Sequence, residues 1–217
     1  SSGKFHDKWF EKIKKNNLLQ IKLPKNMFHD RDNSPGLDLS ERENIDAMKL
    51  HLTKYENMKF QASSCMGSLG IKNEVHSLCN GRVIGSVIFN HLDFINNTFS
   101  KKLGNFNWGR TTVAYRISIL TKAADLIQIH ASELLYLLMH ETGKTIEDAW
   151  DELREAEDFL RFYCNEASNL QSKSFVLTGP TGELNEISYH PKGTFLCISP
   201  WNFPIAILVG QISAALI

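Results

Sequence analysis

The chain has 217 residues, of which 42% are hydrophobic and 22% are charged, and this composition is typical of a globular protein with a buried core. Its 24 basic and 24 acidic side chains give a net charge of zero, which argues against nucleic-acid binding because such surfaces need a basic excess. The four cysteines form no CxxC pair and no zinc pattern, and the histidines show no ligand spacing, so no metal site is predicted.

The two ends of the chain argue against secretion and membrane insertion. The first 16 residues are polar and rich in lysine, so they do not resemble a secretory signal, and we expect reduced thiols in a cytoplasmic protein. The longest apolar stretch, residues 205–217, is too short and too interrupted to span a bilayer.

The first third of the chain shows only local patterns. Residues 1–21 are predicted to form a helical tail, and residues 22–217 are expected to belong to a single domain. A helix is predicted to begin after Ser40, with Glu43 in the capping-box position, and to end at about Asn57.

The next segment is predicted to change from irregular structure to a strand and a helix. Residues 61–80 show little pattern. Apolar residues on both faces of residues 81–89 predict a mostly buried strand, and a helix is expected over about 92–103.

The middle of the chain predicts three consecutive helices, because apolar residues recur at steps of three and four. The first begins at Thr112, the second is capped by Ser132 and ends near Gly143, and the third begins at Thr145 with Asp148 near a capping-box position. The apolar stripes of the first and third helices are Val113, Ile117, Leu120, Ala124 and Ile127, and Ile146, Ala149, Leu153, Ala156, Leu160 and Tyr163.

The last 40 residues predict the opening of an α/β unit. Residues 179–182 have the composition of a turn, and residues 194–199 form a short apolar run typical of a buried strand. Pro204 suits the first turn of a helix that would cover residues 205–217. Helices followed by strand, loop and helix indicate an α/β fold, incomplete within this chain.

Several motifs resemble those of aldehyde dehydrogenases. The sequence ISPWNFP at residues 198–204 is similar to the strand-to-helix signature of that family, and YHPKG at 189–193 resembles its lead-in. The segments AADL at 123–126 and ETGKT at 141–145 resemble early helices of the family in order and spacing. The resemblance implies the largely helical amino-terminal part of an aldehyde dehydrogenase fold, with residues 194–217 starting its NAD-binding sheet.

Two further motifs indicate a narrower relationship. GPTGELN at 179–185 and NSPGLDL at 33–39 resemble segments of the pyrroline-carboxylate dehydrogenase module in bifunctional proline-utilisation proteins. That module oxidises L-glutamate γ-semialdehyde to glutamate with NAD, through thiolate attack, hydride transfer and hydrolysis of the thioester. The resemblance makes Asn202 the catalytic amide that faces the substrate oxygen, and it implies cofactor contacts along the cleft at Ile198, Ser199, Pro200 and Trp201.

The nucleophile and the general base of the family are not found in family context. Cys197 lies inside an apolar run without a basic neighbour, so we expect a buried, unreactive thiol. The isolated chain is therefore predicted to be inactive unless a second polypeptide supplies the rest, for example the carboxy-terminal part, after which a small aldehyde would be the substrate. The alternatives are a non-catalytic remnant or interaction module and, less favoured because residues 1–21 are short, a helix that binds a membrane surface or a partner.

Overall fold

The computed structural model describes residues 22–63, 70–102, 108–172 and 174–217, with only the backbone of residues 98–102. The tail predicted at residues 1–21 lies outside the described residues. Within the described part, the helices are α1 (Arg42–Thr53), α2 (Leu92–Lys102), α3 (Val113–Ile129), α4 (Ala131–Thr142), α5 (Ile146–Gln171) and α6 (Ala206–Leu216). The strands are β1 (Phe60–Ala62), β2 (Gly70–His76), β3 (Val83–Asn90), β4 (Phe175–Leu177) and β5 (Asn185–Ile187).

The described strands form two small sheets. In the first, β3 lies in the centre, with β1 parallel to it on one side and β2 antiparallel on the other. In the second, β4 and β5 form an antiparallel pair around the predicted turn at residues 179–182, where Gly182 has a φ of 85°. The strand predicted at 81–89 is confirmed as β3, whereas β1 and β2 lie in sequence that showed little pattern.

The three predicted middle helices are confirmed as α3, α4 and α5, and they carry the core. Thr112 and Thr145 cap α3 and α5 as predicted, and the Thr145 hydroxyl accepts a hydrogen bond from the Asp148 amide at 3.2 Å. Gly143 ends α4 with a φ of 71°. The core has two clusters, one around Leu135 and Leu153 and one around Leu120, Ala124, Leu160 and Cys164. No described helix is long and apolar enough to cross a membrane.

Two predicted helix starts were wrong. Helix α1 begins at Arg42 with Glu41 as its N-cap, because the Ser40 hydroxyl donates instead to the Asp38 carboxylate at 2.6 Å. Helix α1 also ends at Thr53, four residues before the predicted end. Helix α4 begins directly after α3, with His130 between them, so the cap predicted at Ser132 lies inside the helix.

The predicted strand at residues 194–199 is not formed. The structure shows a segment without regular secondary structure, in which Leu196 is 80% and Ile198 70% exposed. An apolar run becomes a strand only where a neighbouring strand pairs with its backbone, and no described segment pairs with this one. The helix predicted after it is confirmed as α6, which packs on α3 and α5 through Val209 and Gly210.

Candidate functional site

The predicted catalytic residue lies in a tight loop that leads into α6. The loop turns at residues 200–203, where the Phe203 amide donates to the Pro200 carbonyl at 3.3 Å. The side chains of Trp201 and Asn202 at the tip of this loop are exposed, and that of Trp201 is 81% exposed. The amide of Asn202 is therefore accessible to a ligand.

Asn202 lines a cleft of about 500 Å³ between this loop and the first turns of α5. Its charges are four carboxylates and one ammonium, so acidic side chains predominate. The lining residues are Thr142, Lys144, Asp148, Asp151, Glu152, Glu155, Trp201, Asn202 and Phe203.

The carboxylate of Glu152 joins α5 to the beginning of α6. The side chain is fully buried, and one of its oxygens accepts hydrogen bonds from the amides of Ile205 at 2.8 Å and Ala206 at 3.2 Å. These amides belong to the first turn of α6, where helical N–H groups lack intrahelical partners and the helix dipole favours a negative charge.

Lys144 completes this contact from the end of α4. Its ammonium lies 2.7 Å from the second oxygen of Glu152 and 4.0 Å from the centre of the Phe203 ring. A buried carboxylate is costly without a partner, and the ion pair together with the two amides offsets that cost. The ring contact adds a cation–π attraction on the residue next to Asn202.

The structure brings together only part of the predicted cofactor site. Trp201 lines the cleft with Asn202, whereas Ile198, Ser199 and Pro200 precede it and are not among its lining residues. The Ile198 carbonyl accepts a hydrogen bond from the Gln211 side chain at 3.0 Å, and this contact attaches the segment before the loop to α6.

The described cysteines lie outside the cleft. Cys197 is half-buried rather than buried as predicted, because the buried strand predicted at residues 194–199, which would contain it, is not formed. Burial raises the pKa of the Cys164 thiol, against opposing effects of Thr121 and Arg161. The described residues contain no group of three or more side chains that could hold a metal ion.

Sequence reasoning missed Lys144 and Glu152 as parts of the site. Charged residues on α5 were expected to face solvent, but Glu152 is buried, as is Glu157. One signal was present: Glu152 follows Ala149 by three positions and adjoins Leu153, so it falls on the predicted apolar stripe.

Comparison with protein families matches residues 72–217, well over half of the chain, to the family described as "Aldehyde dehydrogenase family". The chain belongs to the aldehyde dehydrogenase family. This confirms the predicted resemblance, and the fold is a partial aldehyde dehydrogenase domain.

The curated relatives in this family include enzymes of proline metabolism. The chain is 31% identical to the bifunctional protein PutA of Escherichia coli over 203 residues, which cover 91% of this chain and 14% of that protein. It is 37% identical to 1-pyrroline-5-carboxylate dehydrogenase 1 of Halalkalibacterium halodurans over 110 residues, or 51% of this chain and 21% of that protein. The chain thus spans about 14% of the length of the PutA relative.

Solved structures in the aldehyde dehydrogenase family share the fold. A crystal structure of bifunctional proline utilization A superposes with a TM-score of 0.69 at 31% identity, covering 91% of this chain and 17% of that one. A 1-pyrroline-5-carboxylate dehydrogenase from Thermus with bound NAD gives a TM-score of 0.74 at 24% identity, covering 85% of this chain and 37% of that one.

Proposed function

We propose that this chain forms the amino-terminal part of an NAD-dependent dehydrogenase that oxidises L-glutamate γ-semialdehyde, the open form of pyrroline carboxylate, to glutamate. The observation that carries the proposal is the 31% identity to PutA across 91% of the chain. Relatives named 1-pyrroline-5-carboxylate dehydrogenase support the same substrate, although another relative is named 2,5-dioxopentanoate dehydrogenase.

In this reaction, Asn202 stabilises the negative charge that develops on the aldehyde oxygen. Attack of a thiolate on the carbonyl carbon turns that oxygen into an oxyanion, and a fixed N–H donor lowers the energy of this state. The exposed position of Asn202 at the wall of a cleft supports this role, since its amide can reach a bound aldehyde.

The residues before Asn202 fit one half of NAD better than the other. Residues 194–200, which form neither helix nor strand, and the exposed Trp201 side chain offer main-chain polar groups and an apolar face, which suit a ribose and a nicotinamide ring. The cleft itself does not suit the diphosphate, because Lys144 is already paired with Glu152 and three other carboxylates line it. When bound, NAD accepts the hydride from the aldehyde carbon.

We further propose that the nucleophilic thiolate and the general base come from additional polypeptide, as further sequence or as a second chain. None of the described cysteines lines the cleft beside Asn202, and the carboxylates that line it are not in the sequence context of the family's general base. With a thiolate supplied, its sulfur would bond to the aldehyde carbon as the carbonyl becomes the oxyanion that Asn202 stabilises. The hydride would pass to bound NAD as the carbonyl re-forms, and water would then cleave the thioester to release glutamate and the free thiol. The 217-residue chain alone is therefore expected to be inactive.

The test is complementation. The purified chain is assayed for NADH formation with NAD and glutamate semialdehyde, alone and mixed with the remaining part of the dehydrogenase module of the Halalkalibacterium halodurans relative. NADH in the mixture alone supports the proposal, and NADH from the chain alone would contradict the assignment of the nucleophile. In the active mixture, Asn202→Ala should lower kcat about 100-fold, as loss of an oxyanion donor does. The matched control is Asn73→Ala on exposed β2, which should leave kcat unchanged.

A second candidate is a non-catalytic interaction module. Exposed apolar side chains before and within the loop favour this candidate, because such patches usually contact other polypeptide. These residues are Phe195, Leu196, Ile198 and Trp201. If the chain binds the remaining part of the module in sedimentation or pull-down measurements but the mixture forms no NADH, this candidate replaces the enzyme.

A further inference from the structure

We infer that Glu152 is a positioning residue for Asn202: it fixes the loop that carries the catalytic amide without touching the substrate. The inference rests on the proposed role of Asn202. It assigns a function to a buried carboxylate that takes no part in the chemistry described above.

Glu152 acts on the loop from its carboxyl-terminal side. Ile205 and Ala206, whose amides it binds, follow Asn202 by only three and four positions. Pro204 lies between Asn202 and Ile205, and its ring restricts the backbone further. Little rotational freedom therefore remains between the fixed amides and Asn202.

Lys144 acts on the residue directly after Asn202. Its ammonium lies over the Phe203 ring at 4.0 Å while pairing with Glu152 at 2.7 Å. Its side chain is only 12% exposed, so the ion pair is largely shielded from water. The pair thus contacts the chain at Phe203 and at Ile205, immediately beyond the catalytic residue.

The other end of α6 is held independently of Glu152. The Trp108 indole donates to the Leu216 carbonyl at 2.6 Å, and Arg116 donates to the Ile217 carbonyl at 2.6 Å. Loss of Glu152 should therefore release the loop and the first turn of α6 while the rest of the helix stays docked. That separation makes the effect local, and so measurable apart from global stability.

The first measurement is hydrogen exchange on the 217-residue chain. In Glu152→Ala, the amides of Ile205 and Ala206 lose a charged acceptor and should exchange at least about 10-fold faster, whereas amides in the middle of α3 should keep their rates. The NMR resonances of the Asn202 side-chain amide should move towards random-coil positions. The control is Glu147→Ala, which removes an exposed carboxylate earlier on α5 and should change neither the exchange rates of Ile205 and Ala206 nor the Asn202 resonances.

A double variant separates positioning from simple loss of a buried group. Glu152→Gln combined with Lys144→Met keeps an oxygen for the two amides and removes both charges, so exchange at Ile205 and Ala206 should return close to the wild-type rate. Glu152→Gln alone faces an unpaired Lys144 and should be worse than the double variant. If Glu152→Ala fails to fold, Glu152→Leu combined with Lys144→Met, which leaves neither an acceptor for the two amides nor an unpaired charge, decides the inference. Wild-type exchange at Ile205 and Ala206 in that variant would overturn it.

The second measurement uses the complemented enzyme. A displaced Asn202 should lower kcat about 10- to 100-fold while the KM for NAD changes less than about 3-fold, because misplacement affects the reacting geometry rather than binding. Wild-type kcat in Glu152→Ala would overturn the inference. If the wild-type mixture forms no NADH, the proposed function fails, and the exchange measurements alone decide whether Glu152 orders the loop.

Discussion

The guanidinium of Arg116 donates from Nε to the main-chain carbonyl of Ile217 at 2.6 Å. Its other nitrogens donate to the Thr111 carbonyl at 2.6 Å and to the Gln171 side chain at 3.2 Å. Arg116 is only 9% exposed. A buried cation at the carboxyl end of α6, with Glu152 at its other end, places opposite charges where the helix dipole favours each of them.

Replacing Arg116 by Met should destabilise the fold by about 2–4 kcal/mol, because three acceptors lose a charged donor and two of them are main-chain carbonyls. The Arg116→Lys variant should recover only part of the lost free energy of unfolding, since one ammonium cannot reproduce the planar set of guanidinium donors. The free energy of unfolding by urea measures both. The exposed Arg110 is the control, and Arg110→Met should stay within about 0.5 kcal/mol. If Arg116→Met lowered the free energy of unfolding by no more than the control, the hydrogen bonds of Arg116 would give no net stabilisation.

The parts of the fold that the sequence predicted are those whose determinants are local. Thr145 with Asp148, Thr112 and Gly143 set helix ends through contacts within four residues, and the apolar stripes placed the core faces of α3 and α5. The strand at 194–199 depended on a partner strand distant in sequence, and a local pattern carries no information about whether that partner is present.

The candidate site likewise has one part that the sequence predicted and another that it did not. Asn202 was predicted from its motif, and the cleft confirms only that it is accessible. The roles of Glu152 and Arg116 depend on contacts with residues 53 and 101 positions away, Ile205 and Ile217. No periodicity in the sequence links such residues.

The segment around Ser34 is attached to α5 by a second buried contact. The Ser34 amide and hydroxyl donate to the two oxygens of Asp158, at 2.6 and 3.0 Å, and Ser34 is fully buried. Asp158→Ala should cost about 2–4 kcal/mol because the buried amide loses its acceptor, whereas Ser34→Ala should cost about 1 kcal/mol because that amide stays paired. Chemical denaturation gives both values. Asp46 pairs only on the surface of α1, so Asp46→Ala should cost less than about 1 kcal/mol. Equal losses in the Ser34 and Asp158 variants would contradict this order.

His140 should make stability depend on pH. Burial lowers its pKa below the usual 6.5, and Arg82 lowers it further, against an opposing effect of Glu56. Its ring nitrogen Nδ1 lies 2.7 Å from the Ser77 hydroxyl, which joins α4 to the turn between β2 and β3. Because the unfolded chain binds a proton more readily than the folded one, the stability from neutral His140 is present above pH 6.5. It is lost as the pH falls from 6.5 towards the folded pKa.

The difference between wild type and His140→Gln isolates this contribution. The free energy of unfolding of the variant should fall less steeply between pH 7.5 and 5.5, by at most about 1.4 kcal/mol per pH unit and less because the ring is partly exposed. Asn73→Ala on exposed β2 removes no titratable group and should keep the wild-type slope. Parallel curves for wild type and His140→Gln would mean that the ring titrates alike in both states.

The reactivity of the thiols tests whether the chain has a nucleophile of its own. Cys164 is buried among α3 and α5 residues and its pKa is raised, so iodoacetamide should modify it only after unfolding. Cys79 is exposed and should react in the native protein, and half-buried Cys197 should react more slowly. Mass spectrometry of peptides after timed alkylation gives each rate, and free cysteine supplies the reference.

A catalytic thiolate would react faster than free cysteine, since the thiolate is the reactive form. Such a rate at Cys197, which lies five residues before Asn202, would contradict the view that the attacking sulfur comes from additional polypeptide. Slow alkylation there would support the proposal that the attacking thiolate comes from additional polypeptide.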